Sequence, residues 1–211
     1  MALNQETVIE VAKEMMRQEG CRRITMDDIS QKLRISKRTL YENFANKEVL
    51  VEAVLENVKA ELDGRKQQYK ERLRKTGDDP LLVMLFAIKH FENYNYEYSK
   101  LMEEANVLYP DIMDRLFMPG GDECESDIVA ELTKMEESGS LRKGVDKEIL
   151  ARSVIWYVTA ILRDKKIGYE TSVKMIREVV FSTIRGILSL EKVVEYEQKE
   201  KAMRDELSMG N

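Results

Sequence analysis

The chain has 211 residues, 43% of them hydrophobic and 35% charged, with a formal net charge of −5 at pH 7. That is enough apolar material for a real core, divided between one small and one larger domain, and an acidic total argues against a protein that coats nucleic acid indiscriminately. Ten glycines and three prolines leave long stretches free of helix breakers, so a mostly helical, all-α chain is expected.

The first helix is expected from about Gln5 to Glu19, with Val8, Val11, Ala12 and Met15 on one face and Gly20 as its stop. Thr25 precedes Asp27 and Asp28. Its hydroxyl can cap free amides, and the two carboxylates favour the positive end of a helix dipole. Met26, Ile29 and Leu33 recur at i, i+3 and i+7, which is one apolar face. Arg34-Ile35 breaks that period. Ser36 is the next N-cap and opens a helix from Lys37 to Phe44. On it Leu40 and Phe44 face inward, while Lys37, Arg38, Thr39, Tyr41 and Asn43 point outward. Asn46-Lys47-Glu48 then caps a long helix running through Leu50, Val54, Leu55, Val58 and Leu62 toward Leu73. Free amides at its start, together with Lys47, make a phosphate site.

Two short helices about a tight turn are the layout of a helix-turn-helix, whose second helix lies in the DNA major groove. Between Ile29 and Lys47 the bases are Lys32, Arg34, Lys37, Arg38 and Lys47, against Glu42 alone. A basic island on an acidic chain suits a sequence-specific reader. On charge alone, an ordinary amphipathic hairpin with a solvated face accounts for it equally well.

Thr76-Gly77-Asp78-Asp79-Pro80 is a break, with the proline at the first position of the next helix. Leu81 to Tyr98 reads as a strongly apolar helix that continues or kinks toward Val107. Pro110 to Met118 is short, and Pro119-Gly120-Gly121 interrupts it. Ser126 to Glu137 is helical and ends in Ser138-Gly139-Ser140. Asp146 can cap Lys147 to Asp164, and Gly168 separates that helix from a last one, Thr171 to about Leu190. The polar tail EKVVEYEQKEKAMRDEL extends that helix into solvent or frays. IWYVTAIL and VVFSTIRGILSL are apolar over more than one face and need burial on both sides. They are either central core helices or an interface with a second copy, for which Ile155, Val158, Leu162, Val180, Ile184 and Ile187 are the candidates.

Aromatic and methionine side chains concentrate between Met84 and Phe117: Phe86, His90, Phe91, Tyr94, Tyr96, Tyr98, Met102, Tyr109, Met113 and Phe117, with Trp156 and Tyr157 later. Tyr and His bring a polar tip to an apolar wall, which suits a small-molecule pocket. For any one of them core packing is explanation enough. His90 is the single histidine, too few for a metal site. Neither a nucleophile elbow nor a phosphate-cradling glycine loop is present, so no metal, cofactor or catalytic residue is expected and the chain does not read as an enzyme. No apolar run is long enough to span a bilayer. The opening MALNQETVIEVAKE reads as an acidic amphipathic helix and not as a leader. Cys21 and Cys124, far apart, read as free thiols of a reducing cytoplasm.

Thr25, Ile29, Ser30, Leu33, Arg34, Ile35, Ser36, Leu40, Tyr41, Asn43, Phe44, Lys47, Glu48 and Leu50 follow the pattern T-x-x-x-I-A-x-x-L-G-V-S-x-x-x-L-Y-x-H/Y-F-x-x-K-E-x-L. The window resembles the TetR family of one-component regulators. The resemblance implies an all-α fold, with a three-helix helix-turn-helix domain over residues 1–50 and a larger helical ligand-binding and dimerisation domain over 51–211. It maps DNA contacts onto Thr25, Ser36, Lys37, Arg38, Thr39, Tyr41, Asn43 and Lys47. It implies a cytoplasmic homodimer joined through the last two helices, with double-stranded operator DNA as partner and no membrane. It further implies a repressor released by a small apolar or aromatic effector, for which Phe86, His90, Tyr94, Met113, Phe117 and Trp156 are the candidate ligand contacts. The alternative is a helical regulator controlled by a protein partner, with no small effector. Three departures carry physical consequences. Arg34 stands where the family has a turn glycine, and would be strained if the turn needs positive φ. Asn43 replaces a His or Tyr, with shorter reach to phosphate. Arg38 stands where a small glycine is frequent, and is a long donor able to read guanine O6/N7.

Overall fold

A computed structural model describes residues 4–76, 97–118, 122–164 and 166–209. Among them the regular structure is helical: α1 (Gln5–Glu19), α2 (Met26–Leu33), α3 (Lys37–Asn43), α4 (Lys47–Thr76), α5 (Ser99–Leu108), α6 (Pro110–Phe117), α7 (Asp122–Glu137), α8 (Lys147–Arg163), α9 (Tyr169–Ile187) and α10 (Leu190–Met209). One isolated antiparallel bridge joins Leu141 to Leu188. The chain divides into two compact units, Met1–Arg65 with Tyr94–Met118, and Lys66–Asn93 with Pro119–Asn211. The expected boundary after residue 50 falls inside the continuous helix α4.

In the first unit, Asn4 caps α1 by accepting from the Glu6 amide at 3.0 Å. The buried row of α1 is Val8, Ala12 and Met16. Val11 and Met15, expected on that face, flank it half-buried, because the packed stripe follows the i, i+4 row. Gly20 ends the helix at φ 85, ψ 158, a region open essentially to glycine alone. A Cβ at this position would run into the Glu104 carboxylate on α5. That same carboxylate accepts from the Arg22 amide at 2.6 Å, so α5 is tied to the backbone of the segment that leads into α2. Cys21 beside it is fully buried. Burial, reinforced by the Glu104 charge, pushes its thiol up to about 11.

Ile24, Met26, Ile29, Leu40, Phe44, Leu50, Val51, Val54, Leu55 and Val58 form the buried apolar face of α2, α3 and the first half of α4, and Leu101, Met102 and Ala105 that of α5. A polar network runs beside it. Lys13 donates to Asn57 at 2.8 Å and to Glu10 at 3.0 Å. Tyr98 donates its hydroxyl to Glu61 at 3.0 Å, and Arg65 donates to Glu97 at 2.8 Å. Partial burial would raise the Glu61 carboxyl, but the Tyr98 hydroxyl, Arg65 and Lys13 outweigh it and hold it below the ordinary carboxylate range.

The second unit has its own core of Leu132, Met135, Leu141, Phe181, Ile184, Ile187, Leu188 and Tyr196. Asp146 caps α8 as expected, accepting from the Ile149 amide at 2.9 Å. The last stretch departs from expectation. α9 stops at Ile187, and the chain is held there by Arg142 N–H to the Ile187 carbonyl at 2.9 Å and Ser189 N–H to the Ser140 carbonyl at 2.8 Å. The polar tail neither extends α9 nor frays. It forms α10, whose Tyr196 is fully buried and donates its hydroxyl to the Phe181 carbonyl at 3.0 Å. Ile184 and Ile187, expected at an interface between copies, are therefore core residues of their own chain. The other interface candidates, Ile155, Val158, Leu162 and Val180, are half-buried, and the large apolar side chains left open in this unit are Ile149, Trp156 and Tyr157 on α8, Met175 on α9, and Leu190 and Val194 on α10.

Arg34 is the one non-glycine residue with positive φ among the described residues, at φ 55, ψ 41. Arg34→Gly is expected to stabilise the protein by about 1 kcal/mol, since a left-handed L-residue costs roughly that much. Gly20→Ala is expected to cost about 1–3 kcal/mol, with only part recovered when Glu104→Ala removes the obstructing carboxylate. Urea denaturation of the three variants measures both effects. A neutral Gly20→Ala would contradict the backbone argument.

Candidate nucleic-acid interface

The interface is built from α2, the turn after it, and α3. Thr25 caps α2 in a reciprocal box: its Oγ1 accepts from the Asp28 amide at 3.2 Å, and the Asp28 carboxylate accepts from the Thr25 amide at 2.9 Å and hydroxyl at 2.6 Å. Those bonds from Thr25 hold the Asp28 carboxyl below its ordinary value. At the other end, Arg34 N–H returns to the Gln31 carbonyl at 3.1 Å and Ile35 N–H to the Ser30 carbonyl at 3.0 Å. This closes the helix with the left-handed residue that a helix end of this kind requires. The turn that glycine would serve is thus made by an arginine.

Ser36 then caps α3, accepting from the Thr39 amide at 3.1 Å, and its hydroxyl lies 2.8 Å from the Thr39 hydroxyl. Leu40 and Phe44 are buried, which fixes the rotation of α3 about its own axis. Three of the expected contact residues stand on the outward side. Lys37 donates to Asp27 at 2.5 Å, and that hydrogen bond raises the lysine above its ordinary value. Arg38, 88% exposed in its side chain, donates from Nε to Glu42 at 2.9 Å. Tyr41 is 48% exposed.

The remaining expected residues are tied to backbone. Thr25, Ser36 and Thr39 serve the helix starts. Asn43 donates to the Thr39 carbonyl at 2.8 Å, and Lys47 donates to the Arg22 carbonyl at 3.2 Å, bridging the start of α4 to the segment before α2. Asn46 caps α4 by accepting from the Val49 amide at 2.9 Å. Two acids read from the sequence only as a helix-start carboxylate and as the single acid of the basic window, Asp27 and Glu42, hold the two leading bases. Glu42 was within reach of a spacing argument, four residues after Arg38. Asp27 was not, since the turn has to form before it meets Lys37.

Of the candidate effector contacts, Phe86, His90 and Tyr94 lie outside the described residues. Met113 is buried and Phe117 half-buried on α6 in the first unit. Trp156, on α8 in the second unit, is 67% exposed and meets the Tyr157 ring edge-on at 5.4 Å. Among the described residues no three His, Cys, Asp or Glu side chains are grouped to hold a metal ion, and no helix is long and apolar enough to cross a membrane.

Residues 8–54 match the family model of bacterial regulatory proteins, tetR family. No curated protein sequence matches the chain. Solved structures share its fold. A transcriptional regulator from Cytophaga hutchinsonii aligns with TM-score 0.68 at 16% identity, over 87% of this chain and 98% of its own. A TetR-family transcriptional regulator from Marinobacter aquaeolei VT8 aligns with TM-score 0.65 at 18% identity, over 95% and 98%. RolR in complex with the ligand resorcinol aligns with TM-score 0.55 at 15% identity, over 92% and 91%.

Proposed function

We propose that this chain, whose residues 8–54 match the family model of bacterial regulatory proteins, tetR family, is a DNA-binding regulator of that family: a cytoplasmic repressor that binds a palindromic operator as a homodimer and is released by a small aromatic or apolar effector. The observation that carries the DNA part is the rotation of α3. Burial of Leu40 and Phe44 turns Lys37, Arg38 and Tyr41 away from the core together, as a helix entering a major groove requires. Arg38 reads base edges. Lys37, Tyr41 and Lys47, with the hydroxyls at the helix starts, position the protein on phosphate.

The dimer reading rests on α8. Ile149, Trp156 and Tyr157 are large, apolar and open in the single chain, and such a patch on a regulator invites a second copy. Ile184 and Ile187 have no part in it. The effector reading is supported by the resorcinol complex of RolR and by the aromatic richness of the 84–117 stretch. The Glu104 contact with Arg22 N–H supplies a mechanical link between α5 and the segment before α2. An effector that favours a different position of α5 would bias the reading head through that bond.

Arg38→Ala is expected to cost about 1–3 kcal/mol on the operator and to relax specificity at one base position. Lys37→Ala and Lys47→Ala are expected to weaken binding evenly across sequences and to lower the salt slope by about one each. Binding titrations on operator and scrambled duplexes at several salt concentrations separate the two patterns. Trp156→Asp is expected to yield folded monomers in sedimentation and to weaken operator binding at low protein concentration; an unchanged dimer would remove α8 from the interface. Small phenols should raise the melting temperature by mass action, whereas a screen whose hits were all polyanions would exclude the effector class.

A further inference from the structure

The charges on α3 run against the stability of the helix that carries them. Lys37 and Arg38 occupy its first turn, beside the positive end of the dipole, and Glu42 its last, beside the negative end. An i, i+4 pair in this order is also the weaker of the two orientations. Glu42 is equally misplaced for phosphate, because a carboxylate on a groove-facing helix repels the backbone it approaches. Its position is explained by what it touches. Glu42 Oε1 accepts from Arg38 Nε at 2.9 Å, with side-chain exposures of 58% and 88%.

That bond occupies the Nε edge of the guanidinium and leaves Nη1 and Nη2 for a second, planar partner. It also restrains a side chain that would otherwise sample many rotamers. In the major groove, the acceptor pair that fits the open fork is guanine O6 with N7. Resting on α3 as the base-reading helix, we propose that Glu42 is a specificity-determining positioning residue. It presents the terminal edge of Arg38 to a guanine in each operator half-site, and its own charge discourages contacts with phosphate.

The test is selection of binding sites from a random duplex library by the full-length chain, followed by titration of the selected site and of a scrambled duplex. Arg38→Ala should erase the guanine preference at one position. Glu42→Ala should lower that same preference by roughly tenfold, leave other positions unchanged and tighten binding to the scrambled duplex. Glu42→Gln, whose carbonyl still accepts from Nε, should retain most of the preference. In an Arg38→Ala background, Glu42→Ala should alter no base preference. Melting temperatures should not fall, so a folding defect is separable. If Glu42→Ala keeps the full guanine preference while Arg38→Ala loses it, the proposal is overturned and the reading of α3 stands. If Arg38→Ala flattens no position, both fall. A cytosine preference that disappears with Glu42 in the Arg38→Ala background would overturn the proposal in favour of direct reading by Glu42.

Discussion

The burial of two side chains, Leu40 and Phe44, decides what α3 can do. A helix of seven residues is too short to persist in water on its own propensity. Its existence and its rotation both depend on the face it buries. Removing Leu40 and Phe44 from solvent leaves one azimuth for the rest of the helix, and Lys37, Arg38 and Tyr41 are exposed as a group because they share it. The bonds at its start and end, from the Thr39 amide to the Ser36 hydroxyl and from the Asn43 side chain to the Thr39 carbonyl, trim a geometry already set by the core.

The connection between α2 and α3 shows the opposite economy, local strain accepted for a fixed angle. Arg34 sits in the left-handed region, and two return hydrogen bonds hold it there. The ion pair between Asp27 and Lys37 spans the same corner from outside. As a surface pair it contributes little to stability, but it determines where the lysine waits. The two leading bases of α3 are held differently: Asp27 takes the Lys37 ammonium itself, whereas Glu42 takes only Nε of Arg38 and leaves the terminal edge of the guanidinium open.

What could be read directly from the residues was local. Thr25, Ser36 and Asp146 announce helix starts because a cap acts over three residues, and the structure has each in that role. Leu40 and Phe44 were legible as an i, i+4 pair. Contacts between distant segments were not. Nothing near Gly20 signals that Glu104, on another helix, will take the Arg22 amide. The reversal after Ile187 has no glycine or proline in Leu188-Ser189-Leu190 to mark it, since Gly186 lies within the last turn of α9; it depends on the Leu141–Leu188 bridge and on Tyr196 reaching the Phe181 carbonyl. A polar-looking tail concealed a core tyrosine, and with it the reason Ile184 and Ile187 turn inward. The rotation of α1 by one row, Met16 in place of Met15, reflects packing partners that periodicity does not name.

The thiol of Cys21 has a chemical consequence of its own. Fully buried, with its pKa pushed up to about 11, it is almost entirely protonated at neutral pH and shielded from solutes, and a thiol in that state is a poor nucleophile. Its alkylation therefore has to wait for the segment between α1 and α2 to open. The rate at which a small electrophile captures Cys21 is an intrinsic clock for that opening, read at the same backbone that Glu104 fastens and without any label being introduced.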